Sequence, residues 1–299
     1  MLTGIGFFMN IIKDNTLYLI LSAEYANGRP VLDIAEQALD AGAGMLQMRE
    51  KSLSEEALLA LGRKLLCLCK KNAVPFIVND NPYIAKKLNA DGVHLGQEDV
   101  KKYPLNDTRN MLGRDKIIGI STHSITEFKN ANRQAFDYIA FGPVFPTKTK
   151  DYHIGTGDIE EVLKISQKPV FFIGGVNISN INILIEKGAK NIAVIRAITE
   201  ADDIALVAKT LKKRFSGPCR FASQSEAAGA REAFLIKING KERSVSKPGN
   251  LSELLENAGL SKKAIVIEHN YNIVPKEKWH ETTIVEGDNI EIVSFVGGG

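Results

Sequence analysis

The chain has 299 residues, 44% of them hydrophobic and 24% charged, with a formal net charge of +3. That length exceeds one ordinary domain and suits a large barrel joined to a small module, and the composition is that of a globular protein rather than a disordered or fibrous one. The near-balanced charge points to neither a nucleic-acid nor a membrane partner, and no apolar run approaches the roughly 20 residues of a membrane-spanning helix. The opening MLTGIGFFMN has too short an apolar stretch and no basic flank for a secretory signal; Met9 is an alternative start. Cys67 and Cys69, two apart on an expected helix, face different sides and lack the spacing of a zinc or redox pair. Cys219 falls in an expected loop. This cysteine usage fits the cytoplasm.

From residue 17 to about 215, short apolar runs alternate with amphipathic stretches. The runs LYLILS (17–22), GMLQMRE (44–50), PFIVND (75–80), DGVHLGQ (91–97), KIIGIS (116–121), DYIAFG (137–142), PVFFIGG (169–175) and NIAVIRA (191–197) are eight candidate strands. Between them lie helical patterns. VLDIAEQALDAG has apolar residues at i, i+3 and i+4 with Gly42 past its end, and SLSEEALLALGRKLL has Ser54 placed to cap it with Glu55 and Glu56 in the first turn. Eight strand–helix units in about 200 residues predict an α/β domain of the (β/α)₈ barrel type; periodicity alone leaves a doubly wound open sheet as the alternative. The pattern breaks at 216–232, a Ser-, Ala- and Gly-rich linker. A second unit spans 233–299. AFLIKING runs into an Asn-Gly hairpin signal, KERSVS returns, LSELLENAGL is an amphipathic helix with Gly259 as its stop, AIVIEHN and NIVP are extended, and residues 290–296 form a closing strand. Two strands, a helix and further strands in under 70 residues predict a small α+β domain of the β-grasp type.

In a barrel of this kind chemistry sits where strands end. After the second strand, alternation sends Gln47, Arg49 and Lys51 to one face. Two cations and an amide suit a phosphate or diphosphate; a charged strand end paired with Glu50 and solvent is the competing reading. Asp80 follows the third strand and Glu98 and Asp99 follow the fourth, and two carboxylates converging at these neighbouring ends can hold Mg²⁺, which prefers oxygen ligands and bridges phosphates. Each also fits an N-cap of the following helix, Asp80 before NPYIAKKL in particular. After the sixth strand, two prolines stiffen a long loop carrying Thr147, Lys148, Thr149 and Lys150, a lid over an anion or a solvated basic loop. Gly174, Gly175 and Arg196 follow strands seven and eight, where backbone N–H groups often take a phosphate. His94, flanked by Val93 and Leu95, reads as packed and hydrogen-bonded, with a metal or acid/base role as the alternative for it and for His123.

QMREK, VND, DGVHLGQED, ISTHS, FGPVFPTKTK, IGGVN and AVIRAI, in this order, resemble thiamine-phosphate synthase over roughly residues 14–215. The resemblance implies a TIM barrel that joins hydroxymethylpyrimidine diphosphate to a thiazole phosphate and releases pyrophosphate. It assigns Gln47, Met48, Arg49, Glu50, Lys51, Asn79, Ser121 and Lys150 to the pyrimidine diphosphate, with Arg49, Lys51, Lys150 and Ser121 as the catalytic set. Asp80 and Asp99 become the Mg²⁺ carboxylates. Thr147, Lys148, Thr149, Gly175, Ile195 and Arg196 form the thiazole-phosphate site, Arg196 standing where many relatives carry serine. The alternative is a non-coupling, tautomerase-like relative that binds thiazole phosphate; the FGPVF and GQED stretches favour the synthase. INGKE, LSELLENAGL, AIVIEHNYNIVPKEKW and EGDNIEIVSFVGGG resemble the thiamine sulfur-carrier protein, a ubiquitin-like β-grasp. That resemblance implies a thiocarboxylate on Gly299, an adenylating activating enzyme and thiazole synthase as partners. A ubiquitin-like docking module without sulfur is the alternative for the tail.

Overall fold

The structure, a computed structural model, describes residues 12–216, 234–245, 249–257, 265–270, 272–285 and 287–294. The chain divides into two compact units, residues 1–220 and 221–299. The expectations placed on Met9, Cys219, Gly259 and Gly299, and on nearly all of the linker, lie outside the described residues.

The first unit begins with strand β1 (Thr16–Leu21), helix α1 (Val31–Asp40), β2 (Met45–Met48), α2 (Glu55–Lys71), β3 (Phe76–Asn79), α3 (Pro82–Leu88) and β4 (Gly92–Leu95). Two short helices follow, α4 (Gln97–Lys102) and α5 (Leu105–Leu112), then β5 (Ile117–Thr122), α6 (Ile125–Asn132) and β6 (Tyr138–Phe141). The unit closes with α7 (Ile159–Ile165), β7 (Val170–Ile173), α8 (Ile181–Glu186), β8 (Asn191–Val194), α9 (Arg196–Thr199) and α10 (Ile204–Ser216). The eight strands are parallel and close into a barrel in chain order, β8 pairing β1 from Thr16↔Asn191 to Leu19↔Val194. A closed barrel excludes the doubly wound sheet. No helix among the described residues is long and apolar enough to cross a membrane.

Strand alternation builds two cores. Leu17, Leu19 and Leu21 of β1 face the helices with Ile34, Ala38, Leu65 and Cys69. Tyr18 and Ile20 face the barrel interior with Met45, Ile77, Ile117, Tyr138, Phe171 and Ala193. Gly119 has to be glycine because a Cβ there would collide with the Tyr138 ring. Local signals end the helices where expected: Ser54 Oγ accepts from Ala57 N–H at 3.3 Å at the start of α2, and Gly42 takes φ +101° after α1. Two differences matter for the site. The run 191–197 is not all strand: β8 stops at Val194, the backbone turns at Ile195 (ψ −89°), and Arg196 opens α9. The cap of α3 is Asn81, whose side chain accepts from Tyr83 and Ile84 N–H, so Asp80 is released from that duty.

The second unit is a five-stranded sheet in the order β10-β9-β13-β11-β12, from β9 (Phe234–Ile238), β10 (Lys241–Val245), β11 (Ile265–His269), β12 (Asn272–Val274) and β13 (Asn289–Ser294), with helix α11 (Leu251–Asn257). Asn239 (φ 48°) and Gly240 (φ 73°) form the two-residue turn that the Asn-Gly signal predicts. Leu251 and Leu255, one helical turn apart, pack with Ile236, Ile267, Trp279, Ile284 and Ile290.

The same unit contains a fully buried carboxylate, Asp288. It accepts from Val285 N–H (2.7 Å) and Asn270 Nδ2 (2.8 Å) and pairs with His269 Nε2 (2.9 Å). Burial alone would raise its pKa, but the His269, Asn270 and Val285 donors together pull it below the ordinary aspartate value. A lowered carboxylate pKa adds stability above the unfolded-state value and loses it as pH falls through the folded-state one. Asp288→Ala should therefore destabilise this unit by about 3 kcal/mol at pH 7, because three donors lose their acceptor. Trp279 is the only tryptophan, so urea titration followed by its fluorescence reads this unit; an unchanged midpoint would refute the clamp.

Candidate active site

One cavity of about 860 Å³ opens at the C-terminal ends of the barrel strands. Gln47, Arg49 and Lys51, leaving β2 on one face, all line it. Gln47 is buried, at 1% exposure. Arg49 Nη1 is buried without a hydrogen-bond partner among the described residues, and the carboxylate it pairs with, Glu24, stands 3.8 Å away. A desolvated guanidinium N–H without an acceptor is costly, and an anion in the cavity would relieve that cost. Met48 and Glu50 do not line this cavity. The same alternation turns Met48 into the strand–helix core, and Glu50 Oε1 accepts from Ala23 N–H at 2.7 Å. Both border a smaller groove of about 430 Å³ with Leu53, Leu58 and Ile84. The structure thus separates Met48 and Glu50 from Gln47, Arg49 and Lys51, with which the resemblance groups them.

Asp80 and Asp99 meet at the same mouth. Asp80 follows β3 at φ +60°, in the left-handed region that directs the chain away from the strand line. Burial first, then the hydrogen bond and charge of Asp99, push its pKa up to about 6, against the pull of Lys51 and Arg49. Asp99 also accepts from Gly96 N–H at 2.9 Å, so its N-terminal helix duty is real as well. Among the described residues no group of three or more His, Cys, Asp or Glu is arranged around a metal position. Two carboxylates held close against their mutual repulsion nonetheless fit Mg²⁺, which commonly takes one or two protein carboxylates and completes its shell with water and phosphate oxygens.

Asn79 and Ser121 line the cavity beside this pair. Ser121 Oγ lies 2.8 Å from His94 Nε2, and His94 Nδ1 lies 2.8 Å from the Tyr138 hydroxyl. Burial pushes the His94 pKa down to about 4, so the ring is neutral at pH 7. His94 is thus packed and hydrogen-bonded, and it reaches the cavity wall too. His123 Nδ1 donates to the Gly142 carbonyl at 2.6 Å, leaving Nε2 as the acceptor that Lys150 Nζ approaches at 3.5 Å. The Tyr152 ring lies 5.4 Å below the same ammonium.

The opposite wall is the loop after β6 and the ends of β7 and β8. Thr147, Lys148, Thr149 and Lys150 line the cavity, with Thr147 Oγ1 3.3 Å from Thr149 Oγ1 and from Thr149 N. Gly175 (φ +67°) packs so tightly against Phe145 and the Pro146 carbonyl that a Cβ would collide with them. The glycine turn after β7 therefore packs against the root of the loop that follows β6. Ile195 and Arg196 complete the wall. Arg196 pairs with Glu200 at 2.7 Å and lies over the Tyr25 ring at 5.5 Å.

A family model described as thiamine monophosphate synthase matches residues 17–198. The chain belongs to the thiamine-phosphate synthase family. It is 39% identical over 201 residues to the thiamine-phosphate synthase of Persephonella marina, covering 67% of this chain and 95% of that one. The same enzyme of Shouchella clausii is 38% identical over 203 residues, with coverage of 67% and 96%. Among solved structures, thiamine phosphate pyrophosphorylase from Pyrococcus furiosus superposes with a TM-score of 0.61 at 29% identity, over 68% of this chain and 97% of that one. A second model, described as the ThiS family, matches residues 236–299. The chain is a thiamine-phosphate synthase barrel, a transferase, followed by a ThiS sulfur-carrier domain. The tautomerase-like alternative is not favoured.

Two residues of the synthase barrel escaped the reading of the sequence. Tyr18 and Tyr138 sit in the apolar runs LYLILS and DYIAFG and resemble ordinary core. Placed on the interior face of a closed barrel, their buried hydroxyls need partners, and each finds one beside the cavity: Gln47 Nε2 donates to Tyr18 at 2.6 Å, and the two hydroxyls are 2.9 Å apart.

Proposed function

We propose that the barrel joins hydroxymethylpyrimidine diphosphate to thiazole phosphate by a dissociative route. The carbon–oxygen bond to the diphosphate breaks first and its electron pair leaves with pyrophosphate; the thiazole nitrogen then gives its lone pair to the pyrimidine-methyl cation, forming the carbon–nitrogen bond of thiamine phosphate. The thiazole nitrogen carries no proton to lose, so the bond-forming step needs no general base. Mg²⁺ held by Asp80 and Asp99 would neutralise charge on the departing diphosphate. The Arg49 fork, the Lys51 and Lys150 ammoniums and the Ser121 hydroxyl supply donors to its oxygens, and such preorganised donors act most strongly where charge develops. Gln47 and Asn79 orient the pyrimidine. Thr147, Lys148, Thr149, Arg196 and the backbone at Gly175 and Ile195 take the thiazole phosphate. The observation that carries this reading is the unsatisfied Arg49 Nη1 on the same cavity wall as the Asp80–Asp99 pair.

The tail would carry sulfur as a thiocarboxylate on Gly299, made after adenylation by an activating enzyme and passed to thiazole synthase. The two activities can be read on one chain. The purified protein with both substrates and Mg²⁺ is expected to release pyrophosphate, and no release would refute the coupling reading. Incubated with ATP, an activating enzyme and a sulfur donor, it should gain one sulfur in place of one oxygen by intact mass. Adding a residue after Gly299 should abolish that gain and leave coupling intact; sulfur gained by the extended chain would overturn the carrier assignment.

A further inference from the structure

The interior of the barrel contains an unbroken hydrogen-bond chain. It runs from Gln47 Nε2 to Tyr18 (2.6 Å), Tyr18 to Tyr138 (2.9 Å), Tyr138 to His94 Nδ1 (2.8 Å) and His94 Nε2 to Ser121 Oγ (2.8 Å). It links β2, β1, β6, β4 and β5, and both ends line the cavity. Phe171, with ring centroids 5.1 Å from Tyr18 and 5.3 Å from Tyr138, packs against the middle of it.

Each inner member has one proton to give and one lone pair to fill. Gln47 Nε2 can only donate, so Tyr18 accepts there. Among the described residues the Tyr18 proton has one acceptor, the Tyr138 oxygen; were Tyr138 to donate to Tyr18 instead, a buried hydroxyl proton would be left without a partner there, at a cost of ~1–3 kcal/mol. Tyr138 then donates to His94 Nδ1, which fixes the Nε2–H tautomer, and His94 donates to Ser121 Oγ. His94 is the only hydrogen-bond partner of the Ser121 hydroxyl among the described residues. We infer that Tyr18, Tyr138 and His94 are positioning residues whose chain polarity turns Ser121 into an obligate donor toward the cavity. This rests on the synthase reading for its substrate: the group that meets the Ser121 proton is an acceptor oxygen of the diphosphate.

The tautomer is tested without activity. ¹⁵N NMR of the labelled full-length protein, with His94 assigned from the His94→Asn spectrum, should show the proton on Nε2. A proton on Nδ1 would reverse both links of His94, to Tyr138 and to Ser121, make Ser121 an acceptor toward the cavity, and overturn the inference. Kinetics give a second reading. Tyr138→Phe breaks the chain at its centre and should lower kcat by about ten- to a hundredfold with little change in KM, as lost orienting partners typically do. In a Ser121→Ala background the same change should cost nothing further, because a chain that acts only through Ser121 has nothing left to orient. Equal losses in both backgrounds would mean that Tyr138 only fills the core. A wild-type chain that shows the Nε2 proton but couples no substrates would sink the synthase reading and leave the polarity standing.

Discussion

Asp80→Asn is expected to abolish Mg²⁺-dependent coupling and, in the same molecule, to make the unliganded barrel more stable at neutral pH. The two effects have one origin. Burial and the neighbouring Asp99 raise the Asp80 pKa from 3.8 to about 6. A carboxyl raised on folding favours the folded state while protonated; that contribution is complete below the unfolded value and is lost as pH rises through the folded one. Above pH 6 the folded barrel therefore holds a carboxylate it would rather protonate, and a neutral amide removes that penalty. The site is partly open, so screening reduces the gain to on the order of 1 kcal/mol, or a few degrees in Tm. Thermal melts of both proteins should converge near pH 4 and separate between pH 4 and 6, the variant melting higher. With diphosphate and Mg²⁺ present the order should reverse, because the wild type gains ligand binding that the variant has lost. Coupling should fall at least about 10²–10³-fold, the range for loss of one group that stabilises transition-state charge. A variant that melts lower at pH 7, or one that still responds to Mg²⁺, would show that Asp80 is a structural carboxylate.

The second large effect is expected at Arg49. Its Nη1 is buried and unsatisfied, and its carboxylate neighbour Glu24 is exposed. Removing the guanidinium should therefore cost little stability: a 3.8 Å pair with an exposed carboxylate contributes little, and an unsatisfied donor disappears. Catalysis should respond very differently. Arg49→Ala should lower kcat/KM for the diphosphate substrate by about 10²–10³-fold. Arg49→Lys should recover only part of this, since an ammonium restores the charge without the planar fork. Melting temperatures and kcat/KM of the two variants decide the matter. A parallel loss of stability and activity would place Arg49 in the scaffold; full rescue by lysine would mean that only its charge matters.

The order of elements was legible because a barrel repeats its instruction eight times. Each buried strand is a short apolar run, and every run named from the sequence overlaps one, with ends shifted by no more than three residues. The side chains around Gln47, Arg49 and Lys51 were legible for the same reason: a period of two needs no tertiary information. The same rule places Met48 and Glu50 on the other face. Other features were not local. Whether Asp80 or Asn81 caps α3 depends on a left-handed residue at Asp80, which the sequence NDNP leaves open. The exit from β8 at Ile195 is set by backbone torsion rather than by hydrophobicity, so NIAVIRA looks uniformly extended. The chain through Tyr18 and Tyr138 joins residues 120 positions apart and exists only once the barrel closes. The residues proposed to touch the diphosphate announced themselves largely by charge; those proposed to hold them in place are written in the vocabulary of the core.

The place of β13 in its sheet has a mechanical consequence. It is the middle strand, antiparallel to β11 from Ile265↔Ser294 to His269↔Ile290 and parallel to β9 at Asn289 and Ile290. Asn239 adds a side-chain clamp, accepting from Ile292 N–H at 2.6 Å. A force applied to the chain beyond Ser294 is thus directed along a strand bonded on both sides. It loads those bonds in shear, all together, instead of peeling them one at a time as it would from an edge. A pull on that segment would therefore meet a strand that resists unravelling, and the domain behind it would stay folded.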